Sequence, residues 1–412
     1  MKETRARIAE ATARPAARRP RRRPGPAPGR AFVAAVLAAF TLFLALGGAP
    51  PRSFQNAPPE TRQAERIAPG VERIEIRRGE FGVGLGPDRW VINVLVLDPS
   101  RTRLALGRAL DKGVGTEATS SIARRRGALA ATNGGFFRTE GPYKGEPAGI
   151  VLMAGKVLSE PYHRRPGLAV SNKGERTRLA VVDAEVRVEA VVAKGARRRV
   201  DGVNRPRLED ELILFTPEFD RTTLTGPGGA EAVIDRGRAV AVIDGKGAAA
   251  IPRSGWVLSA HGKAAAWVRA HIKPGTGLKL QTDVRLSPRP AFTPEFVIDG
   301  GPRLVRTGRT VAAQPETGRT GFVEGRHPRT AVGVRADGRI LLVTVDGRQP
   351  ERSVGMTIAE LASLLLELGA VEAINMDGGG STTMVAGGRV VNSPSDLTGE
   401  RAVGDALLVL AR

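Results

Sequence analysis

Asp377 closes a short apolar stretch, Ile374-Asn375-Met376-Asp377, and is followed by Gly378, Gly379, Gly380 and Ser381. A carboxylate at a strand tip beside three glycines combines an ionisable group with backbone N–H groups that can approach a ligand closely, the composition of an anion-binding nest. The pattern recurs. Gly127 to Asn133-Gly134-Gly135 aligns with Gly369 to Asp377-Gly378-Gly379 across a two-residue gap, and Phe296-Val297-Ile298-Asp299-Gly300-Gly301 is a partial third copy. Each is followed by a hairpin-like return, at Gly155-Lys156-Val157, Gly308-Arg309-Thr310-Val311 and Gly388-Arg389-Val390. One Asp-Gly-Gly alone reads most simply as a hairpin turn. Three matched copies predict that Asn133, Asp299 and Asp377 occupy equivalent local settings.

The elements that must position these residues are legible around them. Thr357 and Glu360 have capping-box spacing, and Ile358, Leu361, Ala362, Leu365 and Leu368 share one stripe, which predicts a helix closed by Gly369. Ala370 to Met376 and Thr382 to Val385 read as strands on either side of the glycine loop. Thr119 to Arg126 has room for a short helix before the Asn133 copy. Alternating runs at Ile74 to Ile76, Trp90 to Leu97 and Leu104 to Leu106 open the domain, Ile340 to Asp346 is a strong strand, and Ala406 to Leu410 is a final apolar strand. Further β-like runs between Thr177 and Gln281 predict a β-rich insertion over about 177–285, with at most a short helix at Ala264 to His271.

The 412 residues suffice for a sizeable core, with one large or two moderate domains expected. The formal charge of +21 suggests an anionic partner at first sight. Residues 1–30, however, hold ten Lys or Arg against two Glu, and only 4% of residues are aromatic. Without clustered basic residues interleaved with stacking rings, nucleic acid is not the expected partner. Absence of Cys excludes disulfides, thiol catalysis and Cys-ligated zinc, and the four His show no zinc spacing. Residues 1–30 read as a basic cytoplasmic tail, 31–51 as a transmembrane anchor or signal peptide, 52–70 as a linker, and 71–412 as the exported domain. Gly82-Val83-Gly84-Leu85-Gly86 has the wrong spacing for dinucleotide binding and reads as a glycine-rich turn.

Asn133-Gly134-Gly135-Phe136-Phe137, Arg329-Thr330-Ala331-Val332-Gly333, Asp377 to Met384 and the closing block Asn392 to Arg401 together resemble the phosphodiester glycosidase family. The likeness runs from about Trp90 to the C-terminus and includes Asn204-Arg205-Pro206-Arg207 and Thr216-Pro217. It implies an α+β fold, here expected as a β-rich mixed sheet with a few helices whose Gly-Gly loops converge on one site. It also implies hydrolysis of a sugar-1-phosphodiester, with envelope or exopolysaccharide glycans as the expected partners. Such chemistry needs a held phosphate and a carboxyl group acting at the anomeric carbon, and glycosidases commonly pair two carboxylates. Asp299 and Asp377 are the matched pair. Asn133, Gly134, Gly135, Gly378, Gly379, Gly380, Ser381 and Thr330 are the expected substrate or phosphate contacts, with Arg329 and Arg348 as bidentate clamps. His327, before Pro328, reads equally as an acid–base group or a local hydrogen bonder. The carboxylate-bearing loops are where calcium would bind, though no EF-hand pattern is present. Two alternatives share these loops: a non-catalytic glycan- or phosphate-binding protein, and a phosphoesterase cutting P–O. The scarcity of aromatics favours a small terminal sugar phosphate over a long polysaccharide groove.

Overall fold

The structure is a computed structural model that describes residues 59–79, 89–162, 165–311 and 320–412, all within the compact unit Pro58–Arg412. The basic tail, the 31–51 segment and the Gly82 to Gly86 turn lie outside the described residues. Among those described, no helix is long and apolar enough to cross a membrane.

The expectation of an α+β fold on a mixed sheet is corrected by the element content. Strand accounts for 48% and helix for 11% of the described residues. The strands are divided among several sheets, and every ladder among the described residues is antiparallel except Gly202–Val203 with Leu212–Phe215. The physical reason lies in the connections. Glycine-bearing hairpins join neighbouring strands directly, as at Val151–Met153 with Lys156–Ser159, and parallel pairing would need long crossovers.

An eight-stranded sheet runs in the spatial order 60–68, 71–78, 90–97, 340–345, 329–335, 370–375, 303–306 and 309–310. Trp90–Leu97 is buried throughout because both faces are covered. Leu95 and Leu97 pack into the central core, while Ile92, Val94 and Val96 face the core under the helix Ile358–Glu367. That helix carries the expected capping box, with Glu360 N–H donating to Thr357 Oγ1 at 3.1 Å and Thr357 N–H to Glu360 Oε2 at 2.8 Å. Gly369 follows at φ +86°, a left-handed position suited to glycine.

The central core is shared with two more sheets. One holds Phe296–Asp299 between Pro166–Ser171 and Val151–Met153; the other holds Ala130–Asn133 between Met384–Ala386 and Asp405–Ala411. Each predicted repeat therefore ends an interior strand of a different sheet. Two sequence readings change. Glu60–Ala68, expected as linker, is a strand paired with Val71–Arg78. The 177–285 stretch divides: Arg178–Val192, Arg197–Val200 and Leu278–Ser287 belong to the sheet that carries Asp299, and the five strands from Gly202 to Ala260 form a separate sheet. The helix Gly262–His271 packs on that smaller sheet through Ala264, Ala265 and Val268.

Candidate active site

Interior strands are strongly held, so their tips are rigid places to mount functional groups. Where the three strands end, the chain packs without spare volume. The Asp377 N–H donates to the Gly134 carbonyl at 3.1 Å, and the Asn133 Nδ2 donates to the Asp377 carbonyl at 2.7 Å. Asn133 Oδ1 accepts from Thr330 Oγ1 at 2.7 Å and from the Thr383 N–H at 3.2 Å. Asn133 and Thr330 are fully buried, and their bonds join three stretches of chain, at 133, 330 and 377–383. They are positioning residues, where the sequence suggested substrate contacts.

The glycines are explained by the side chains beside them. A Cβ on Gly134 would run into Asp405 Oδ1, and one on Gly135 into Asp299 Oδ1. The Gly135 N–H donates to Asp405 Oδ1 at 2.9 Å. Gly149 presses on Asp299 from another side. In the Asp377 loop the amides are committed internally: Gly378 N–H to Asp377 Oδ1, Gly379 N–H to the Pro328 carbonyl, and Ser381 N–H to the Gly378 carbonyl. These three cannot also form the expected phosphate cradle. Ser381 is itself buried in the short 3₁₀ turn Gly379–Ser381.

Three carboxyl groups share this centre, one more than the sequence reading named. Asp299 is completely buried, neither oxygen is hydrogen-bonded among the described residues, and its pKa is pushed well above the ordinary value by burial and then by the charge of Asp405. Asp405 is pushed up to about 7, first by burial and further by the charge of Asp377, against the Gly135 N–H. Asp377 is the partly exposed member, pushed up to about 6 by burial against the Ser381 hydroxyl and the Gly378 N–H. Solvent access singles out Asp377. Asp299, expected as its partner, lies sealed beneath Gly135 and Gly149.

The arginines also divide. Arg329 is buried, its Nε donating to the Met356 carbonyl at 2.7 Å and its Nη2 to the carbonyls of Phe322 and Gly325 at 2.7 and 2.9 Å. Burial and then the charge of Arg348 lower its pKa to about 10. Its donors cap main chain, so it is a structural arginine and not the expected clamp. Arg348 is exposed, with its guanidinium over Gly379, where a Cβ would meet Nη2 at 3.0 Å. Gly379 is at φ +59°, which turns the loop beneath that guanidinium. On the other side Gly380 abuts Arg401, which pairs with Asp396 at 2.7 Å and whose charge acts on Asp377. His327 Nε2 lies 3.1 Å from the Gly321 carbonyl, the local hydrogen-bonding role. Asp346 and Asn392 secure the rear of the loop, Asn392 Nδ2 donating to the Thr382 carbonyl at 3.0 Å and to Asp346 Oδ1 at 3.2 Å. Among the described residues no group of three or more His, Asp or Glu is arranged to hold a metal ion.

The sequence reading missed Asp405 and Arg401. Asp405 opens an apolar final strand, and a carboxylate there was the available signal; Arg401 lay within the Asn392 to Arg401 block but was given no role.

A β-rich scaffold that gathers perturbed carboxyls under an arginine-flanked loop has the parts of a hydrolase site for an anionic substrate. The family model for phosphodiester glycosidase matches residues 228–410 of the chain. A prophage-derived protein of Bacillus subtilis is 44% identical over 84 residues, 20% of this chain and 13% of its own. The N-acetylglucosamine-1-phosphodiester alpha-N-acetylglucosaminidase of Bos taurus is 44% identical over 85 residues, 20% of this chain and 16% of its own. The matched part thus spans less than a fifth of the length of either curated relative. Among solved structures, a Burkholderia pseudomallei protein provisionally described as exported is 26% identical, with a TM-score of 0.75 over 88% of this chain and 98% of its own.

Proposed function

We propose that the protein is an exported hydrolase that cleaves sugar-1-phosphodiesters at the glycosidic C–O bond, with cell-envelope or exopolysaccharide glycans as the source of its substrate. The observation that carries this reading is Asp377, a partly exposed carboxyl raised toward neutrality, beside a loop with Arg348 on one side and Arg401 on the other. The family match and the name of the bovine relative supply the substrate class, and the likeness to the Burkholderia protein supports export.

In this mechanism the arginines hold the phosphate and Asp377 acts at the anomeric carbon. The C1–O bond breaks, its electron pair leaves with the phosphomonoester, and the oxygen of water becomes the sugar's anomeric hydroxyl. Asp377 must be ionised to attack or to take a proton from water, so activity rises as pH passes through about 6.

Incubating the full chain with an N-acetylglucosamine-1-phosphodiester in oxygen-18 water tests the reading. Label is expected in the free sugar, and Asp377→Asn is expected to lower kcat by at least about a thousandfold with the fold intact. Label in the phosphate product would instead establish P–O cleavage, and binding without turnover would establish a glycan- or phosphate-binding protein.

A further inference from the structure

Behind the Asp299 wall the surface opens into a cleft of about 1060 Å³. That is at the upper end of the volumes found for small-molecule sites, and more than a single sugar phosphate needs. Its walls are the strip 146–149, the turn 159–162, the middle of Arg178–Val192, and the chain from Arg199 to Glu211.

The lining restricts what fits. Arg205 is bonded to Glu160 at 2.5 Å and to Glu211 at 2.7 Å, and Arg138 to Glu146 at 3.1 Å. These pairs cancel one another's charge, which suits neither a polyanion nor a lipid chain, and with the Arg205 donors spent on Glu160, Glu211 and the Asp201 and Pro206 carbonyls they offer carboxylate oxygens as acceptors. Burial pushes the Glu146 carboxyl up to about 7, so it can offer either an acceptor or a proton. Two large apolar side chains also stand open among these polar groups, Tyr162 at 48% and Leu208 at 63% exposure. Hydroxyl-binding edges beside exposed apolar faces match the two-sided surface of a pyranose, whose C–H face packs on a ring while its hydroxyls bond outward.

A single layer of chain separates the cleft from the carboxyl centre. Gly149 lines it, and a Cβ on Gly149 would lie 2.6 Å from Asp299 Cβ. The carbonyl of its neighbour Ala148 accepts from Arg165 Nη1 at 3.3 Å. The Arg165 guanidinium lies 5.0 Å from the Tyr162 ring centre and 4.6 Å from that of Phe136, and its charge acts on both Asp299 and Asp377.

We propose that this cleft is a saccharide-binding subsite that seats a neutral oligosaccharide arm of the substrate, an assignment that rests on the glycosyl-phosphodiester reading above. It replaces the expectation of a small terminal sugar phosphate, because the cleft supplies through paired polar groups what the sequence lacks in aromatics.

Titration calorimetry of the full chain with phosphate-free tetrasaccharides of N-acetylglucosamine and of glucose tests it, beside Tyr162→Ala and Leu208→Asp. Both side chains are exposed, so the variants are expected to fold, which circular dichroism checks. At least one tetrasaccharide is expected to bind, and each substitution to weaken it about tenfold. Hydrolysis of a methyl phosphodiester of N-acetylglucosamine is measured in parallel. Saccharide binding that depends on Tyr162 and Leu208 without any hydrolysis upholds the subsite and removes the hydrolase reading. Hydrolysis without saccharide binding, or binding that neither substitution alters, overturns the subsite.

Discussion

At the scale of single residues, the same residue type does opposite work according to what its polar atoms already touch. Arg329 and Arg348 both stood out from sequence as phosphate clamps. Arg329 spends its donors on three carbonyls in a buried site, and a buried arginine withdrawn from such contacts leaves those acceptors unpaired. Arg329→Lys is therefore expected to lower stability by roughly 2–4 kcal/mol, read as a shift in the urea midpoint. Arg348→Ala is expected to leave that midpoint within about 0.5 kcal/mol while raising KM for the phosphodiester about tenfold. Reversed effects would exchange the two roles. Sequence offers the residue type and its neighbours in the chain; it does not show that Met356, Phe322 and Gly325 arrive to occupy one guanidinium and leave the other open.

The element scale was the most legible. The capping box at Thr357, the stop at Gly369, the strand before Asp377 and the hairpin returns all follow from local spacing, and local spacing is all that these features need. The function of the glycines was harder to read, because it is set by groups distant in sequence. Gly380 lacks a side chain where Arg401 and Asp396 sit. Gly380→Ala is expected to push that ion pair aside, raising KM about tenfold and changing stability by no more than about 1 kcal/mol, since the displaced groups are side-chain ends with room to move. An unchanged KM would show that Arg401 takes no part in holding substrate. Asp405 went unseen for a related reason: its importance lies in Gly135, on the neighbouring strand's tip, and not in any motif of its own.

For the whole molecule, the predominance of strand was visible in alternating runs, whereas their division into separate antiparallel sheets depends on pairings between segments far apart in the chain. The buried carboxyls impose a pH dependence on the fold as a whole. A carboxyl with a raised folded pKa keeps a proton in the native state that the unfolded chain has already released. Its contribution is thus fully present below the ordinary carboxylate range and is lost as pH climbs to the folded value. For Asp405 that window runs from its ordinary value of 3.8 to about 7. Asp405→Asn keeps an acceptor for the Gly135 N–H and cannot ionise. Its Tm is expected to fall less than that of the parent protein between pH 5 and pH 8, by an amount worth on the order of 2–3 kcal/mol. Parallel Tm curves would show that Asp405 is not the group responsible.

The hydrogen bonds of Asn133 have a consequence for how the molecule comes into being. Its partners Thr330, Asp377 and Thr383 lie 197, 244 and 250 residues further along the chain. Contacts of such span close late in synthesis and only after large loops have been gathered in. Nearly the whole domain must be made and gathered into place before the site exists at all, so a nascent or truncated chain lacks an assembled centre.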